Sequence, residues 1–167
     1  MEYLDRLHPA FAASPEPFVL AAEAALARAL GRSRSFRMEL LPSGLERAIG
    51  PERLRRLLPG LPAEARAQPT RAGYVVHEER LDEGSAAELR RLVRAEEGRE
   101  PPLTYVETLT LLDADGRIVL RAGDSGDAWL LSFAGADRAA LLADFAERGI
   151  PADVLEPVDV DPAALHP

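Results

Sequence analysis

Few side chains in this sequence could do chemistry, and they lie in two short runs. In Val75-Val76-His77-Glu78-Glu79-Arg80, an extended backbone puts His77 and Glu79 on one face. An imidazole beside a carboxylate could serve as a general base, although a polar, half-exposed strand face explains the pair without chemistry. In the run from Leu103 to Leu112, Tyr105 and Glu107 share an alternating face with Leu109 and Leu111. A carboxylate turned toward a core is costly unless ion-paired or hydrogen-bonded. Burial would also raise its pKa unless an Arg lay beside it. Tyr105, Glu107 and His77 are therefore the expected lining of a small ligand pocket. The competing expectation puts Glu107 at a sheet rim or in a structural pair with an Arg. No catalytic residue, metal ligand or cofactor is expected.

Other runs lose their chemical reading once the whole motif is required. Gly123-Asp124-Ser125-Gly126-Asp127 resembles the run around the nucleophile of chymotrypsin-like proteases, and His77, Asp113 and Ser125 follow that chain order. Asp127 stands where the final Gly belongs, and a tight polar turn accounts for the run. Asp113-Ala114-Asp115-Gly116 opens like a calcium loop, but Arg117 and Ile118 occupy the positions that need an oxygen ligand and a Gly. The zinc deaminase reading of His77 and Glu79 needs a Pro-Cys-x-x-Cys half, and the chain has no Cys. Arg53, Arg55 and Arg56 with Arg32, Arg34 and Arg37 suggest a basic patch. Acids are interspersed among them and aromatics are only 5% of residues, so solvated surface is expected rather than a nucleic-acid partner.

Absences exclude more than the motifs assign. All 20 basic residues are Arg, so no Schiff-base or P-loop lysine exists. Without Cys there is no thiol nucleophile, disulfide or thiolate zinc site. The lack of Lys and Asn suggests a GC-rich bacterial genome. Net charge is −8, and it is uneven. Residues 1–70 hold 10 Arg against 8 acids, whereas residues 71–167 hold 10 Arg against 20 acids. An acidic C-terminal half could meet a partner with a basic surface. No apolar run reaches membrane-spanning length, and Met1 to Pro9 lacks the pattern of a secretory leader, so a cytoplasmic protein is expected.

The elements follow from periodicity and punctuation. Leu103 to Phe133 predicts a three-strand meander, with Asp115-Gly116 as a two-residue hairpin loop. That register sets Leu111 opposite Leu120, and puts Leu109, Leu111, Ile118 and Leu120 on the apolar face. Trp129, the only Trp, is the expected core anchor. Met1 to Leu7 predicts a helical turn, and Ser14 to Gly31 an Ala-rich helix ending in a left-handed Gly. Arg34 to Leu41 and Gly73 to Leu81 predict strands. Gly44 to Leu58 predicts two short helices divided at Gly50-Pro51. Ser85 and Glu88 suggest a capping box opening a helix to Gly98. Ala136 to Arg148 predicts a helix with Gly149 at C′, followed by a short strand over 153–158.

This order predicts an α+β fold: an antiparallel sheet on the meander with helices on one face. Profilin-, roadblock- and chaperone-like layers share it, as does an elaborated ferredoxin-like fold. One domain is expected over residues 1–158, with a possible sub-boundary near 59–70 and a loosely ordered tail over 159–167. The expected function is a non-enzymatic protein-interaction module of adaptor, immunity or chaperone type, with a homodimer in view because meander edges must be covered. The alternative is a small-molecule binding or sensing domain at Tyr105 and Glu107.

Overall fold

Period-two alternation sets the architecture. In Ser35–Leu40 the residues Phe36, Met38 and Leu40 are fully buried and their neighbours are not. In Ala128–Ala134 the buried set is Trp129, Leu131 and Phe133. Strands with one apolar face must stack that face on something else. The computed structural model describes residues 2–7, 15–69, 72–95, 99–124 and 128–158. In it, seven strands form one open antiparallel sheet: β1 (Glu2–Leu7), β2 (Ser35–Leu40), β3 (Val75–Arg80), β4 (Val106–Leu112), β5 (Ile118–Gly123), β6 (Ala128–Ala134) and β7 (Leu155–Pro157). Their order is β3-β2-β4-β5-β6-β1-β7. Among the described residues six α-helices accompany it: α1 (Pro15–Arg32), α2 (Pro42–Ile49), α3 (Pro51–Leu57), α4 (Ala63–Arg66), α5 (Glu83–Arg91) and α6 (Gly135–Glu147). The fold is α+β, as the sequence predicts.

The Ala-rich α1 buries Ala21, Ala22, Ala25 and Ala29 completely, and their small side chains admit α5, α6, β1 and β5 to close contact. Helix α6 lies beside it over β6 and β1. Leu141 and Phe145 face inward, and Gly149 takes the left-handed C′ position with φ 68°.

Several local expectations change once tertiary partners are present. Residues 2–7 are a strand, not a helical turn, because β6 and β7 clamp them on both sides. Helix α1 runs through Gly31, whose φ is not positive, and stops at Arg32. The capping box of α5 starts three residues early: the Asp82 carboxylate accepts from the Ser85 N–H at 2.7 Å, and the Ser85 hydroxyl accepts from the Asp82 N–H. The β4–β5 loop holds three residues, not two. Asp113 pairs with Arg117, Gly116 is left-handed at φ 76°, and the Asp113 carboxylate accepts the N–H groups of Asp115 and Arg117. Gly98, Ser125 and the tail over 159–167 lie outside the described residues.

Two β-bulges keep the apolar side chains on one face. Between β2 and β4, Leu40 pairs with Val106 and Glu39 with Thr108, leaving Glu107 as the extra residue. Between β4 and β5, Leu111 pairs with Leu120 and Leu112 with Ile118, leaving Val119 extra. The second bulge moves Ile118 off the core face, where the uninterrupted alternation places it. Val119 and Leu120 are the residues that enter the core.

A charged residue is fully buried within this core face. Asp5 of β1 is 0% exposed and sits opposite Leu131. Its two carboxylate oxygens take Nε and Nη2 of Arg138, on α6, at 2.8 and 3.1 Å. Such forked pairing is the geometry that makes a buried carboxylate tolerable. Arg138→Met should therefore cost about 3–5 kcal/mol in urea unfolding, and the double variant Asp5→Leu/Arg138→Met should recover most of the loss. A single variant within about 1 kcal/mol of wild type would show that the pair does not anchor β1 to α6.

Candidate functional site

An antiparallel strand at the edge of a sheet turns the main-chain groups of alternate residues inward, and the rest outward. At the β3 edge the parity is fixed by Leu81, whose N–H donates to the Arg34 carbonyl at 2.9 Å. Val75, His77 and Glu79 therefore pair inward with Leu40, Met38 and Phe36. The N–H and C=O groups of Val76, Glu78 and Arg80 face outward. The side chains of those same residues lie on the sheet face opposite the core, and all three are exposed. Val76 is 53% exposed and Tyr74, just before the strand, 44%; they are the large hydrophobic residues that stand exposed among the described residues.

Beside this edge the outer face curves into a groove of about 370 Å³. Thr110 and Leu112 are buried within it, while Arg37, Glu39, Glu78 and Arg121 supply charge of both signs. One cross-strand row organises the face: Glu78, Arg37, Thr110, Arg121, Leu130, Arg6 and Glu156 stand in line across all seven strands. Arg6 and Glu156 close the far end of the row with an ion pair at 2.7 Å.

The residues singled out by chemical type are not gathered at one place. Tyr105 ends a 3₁₀ turn over Pro102–Tyr105 and lines a cleft of about 410 Å³ with Arg47, Ala48, Arg99, Glu100 and Pro102. Its ring packs on Gly44 of α2 so closely that a Cβ there would collide with it. Glu107 occupies the bulge, half-buried, and is not in the lining of that cleft. His77 lies two strands away from Leu109, across Met38. His77 Nε2 meets Glu79 Oε2 at 2.9 Å, and the same oxygen accepts the Gly60 N–H at 2.9 Å. The His77–Glu79 pair thus fastens the turn after α3 to β3. Asp113 spends its carboxylate on the β4–β5 turn.

The six Arg of the expected basic patch also disperse. Arg32 pairs with Asp137, Arg34 bonds the Ser33 carbonyl, Arg55 donates to the Pro51 carbonyl of its own helix, and Arg37 stands on the outer sheet face. Arg53 and Arg56 of α3 converge on Glu88 of α5 at 2.7 and 3.0 Å. Glu88, a capping residue by sequence, is instead the buried centre of the α3–α5 contact. A helical acid three residues after a Ser carries both signals alike. No family model matches the chain, and no curated protein or solved structure is significantly similar to it.

The Glu88 cluster makes stability depend on pH. Burial pushes the Glu88 carboxyl up, but hydrogen bonds and charge from Arg53 and Arg56 together outweigh it and hold its pKa below the ordinary value. A carboxyl depressed on folding contributes stability above its unfolded pKa, and loses it as pH falls through the folded one. Glu88→Gln should cost about 1.5–3 kcal/mol at pH 7, and less as the pH drops below about 4. Urea midpoints of both proteins across that range test this. Curves that stay parallel would remove Glu88 as a source of acid sensitivity.

Proposed function

We propose that this chain is a protein-interaction module that receives an extended segment of a partner on the β3 edge, with the outer groove reading the partner's side chains. The carrying observation is the coincidence at β3 of outward main-chain groups with exposed Val76 and Tyr74. Strand addition takes its affinity from main-chain hydrogen bonds and its specificity from pockets for alternate side chains. The groove supplies such pockets, and its two Arg and two Glu favour a segment carrying both charges. The acidic excess of residues 71–167 favours a basic surface on the partner around that segment.

A second reading, binding of a small anionic ligand, rests on Tyr105 standing in a cleft with Arg47 and Arg99. Chemical-shift titration with an aromatic carboxylate should then move the amides of Leu103, Thr104 and Tyr105 saturably. Shifts that do not saturate would end that reading.

The main proposal is tested by selecting strand-forming peptides from a displayed random library. Val76→Pro removes an outward N–H without touching the β2 ladder, a placement an edge strand tolerates. Peptides should be enriched on wild type and not on Val76→Pro with unchanged circular dichroism. Equal enrichment on both would sink the β3 edge as the docking site.

A further inference from the structure

Taking β3 as the docking edge, we infer that in the isolated protein its occupant is β3 of a second copy, paired antiparallel with Val76 facing Val76 across a two-fold axis. The outward residues must face one another, so the axis passes through a residue of the strand. Through Glu79 or Arg80 it leaves Val76 beyond the end of the other copy's β3, and through Val75 it hangs the ladder on Tyr74, which precedes the strand. Through Glu78 it sets two carboxylates directly opposite. Through His77 it makes the two Glu78 side chains diagonal neighbours, which also repel. Through Val76 it brings both Val76 side chains together, sets each Tyr74 against the other copy's Glu78, and parts the carboxylates. Among the registers whose central hydrogen-bonded pair lies within β3, only this one sets Val76 against an apolar residue and separates the like charges.

The other sheet edge decides the size of the assembly. Strand β7 spans three residues and ends at Pro157, which offers no N–H. With one open edge per copy, pairing is isologous and closes at two subunits rather than growing. An axis perpendicular to the sheet leaves both outer faces on one side. The two grooves, each bordered by Val76 and Glu78, then meet along the seam.

The chain has no Cys, so single-cysteine variants report the register directly. Facing residues in a hydrogen-bonded antiparallel pair have Cα atoms about 5.5 Å apart, within disulfide reach. The two Glu78 Cα atoms would lie roughly 14 Å apart. Sedimentation of the full chain should give a dimer for wild type and a monomer for Val76→Pro. Oxidation should give a covalent dimer with Val76→Cys and none with Glu78→Cys. Linking of Glu78→Cys instead, or a wild type that stays monomeric, overturns the inference. If wild type is monomeric while displayed peptides still require Val76, the second copy is ruled out and the interaction reading stands. If the peptides ignore Val76 as well, both fall.

Discussion

One-sided burial is the constraint from which the rest of this structure follows. An antiparallel sheet covered by helices on one face needs every second side chain to be apolar, and this sequence breaks that alternation twice. At each break the backbone inserts a residue: Glu107 between Val106 and Thr108, and Val119 beside Leu120. The first bulge lets Val106 take the core position opposite Leu40, so that Glu107 never joins the row of Leu109 and Leu111. The second returns β5 to phase after the Asp113 turn. Without them, a carboxylate would face the helix layer and Val119 would face outward.

This explains which parts of the fold were legible. β2, β3, the meander, α6 and the α2–α3 division carry their own signals: strict alternation, a Gly-Pro break, a Gly at C′. Local signals fail where a distant partner decides. Residues 2–7 spell no clear period, and become a strand because β6 and β7 lie on either side. Ser85 can be an N-cap or an N3 residue, and Asp82, three residues earlier, settles which. The expected pocket fails to gather for the same reason. An unbroken strand would put Tyr105 and Glu107 on one face, and a shared pocket would then need His77 beside them. A 3₁₀ turn and a bulge separate the first two, and β2 stands between them and the third.

The buried charges show a second limit on local reading. Asp5 with Arg138, and Glu88 with Arg53 and Arg56, join residues 133, 35 and 32 positions apart. Nothing in the spacing announces such pairs. Composition does give a hint, because a chain whose cations are all Arg has only forked, planar donors to offer its carboxylates. The apparent basic patch divides accordingly: Arg32, Arg53 and Arg56 go to acids on neighbouring helices, where they hold elements together, and Arg34 and Arg55 go to backbone carbonyls.

What the folding constraint leaves over is the asymmetry of the two edges. A sheet that does not close must end twice, and each end exposes main-chain groups that can template another strand. At β7 the end is blunted by brevity and by Pro157. At β3 the strand keeps six residues, and its outer face carries Val76 where a guarded edge would place a charge. Glu78 and Arg80 provide partial protection, yet they cover only one half of the line that begins with Tyr74 and Val76. They therefore restrict the allowed register more than they prevent pairing. Glu78 lies at a fixed place along this edge, so the residue set opposite it would decide which registers are favourable. For any strand that adds here, the register would be set by the same cross-strand chemistry that operates inside the sheet.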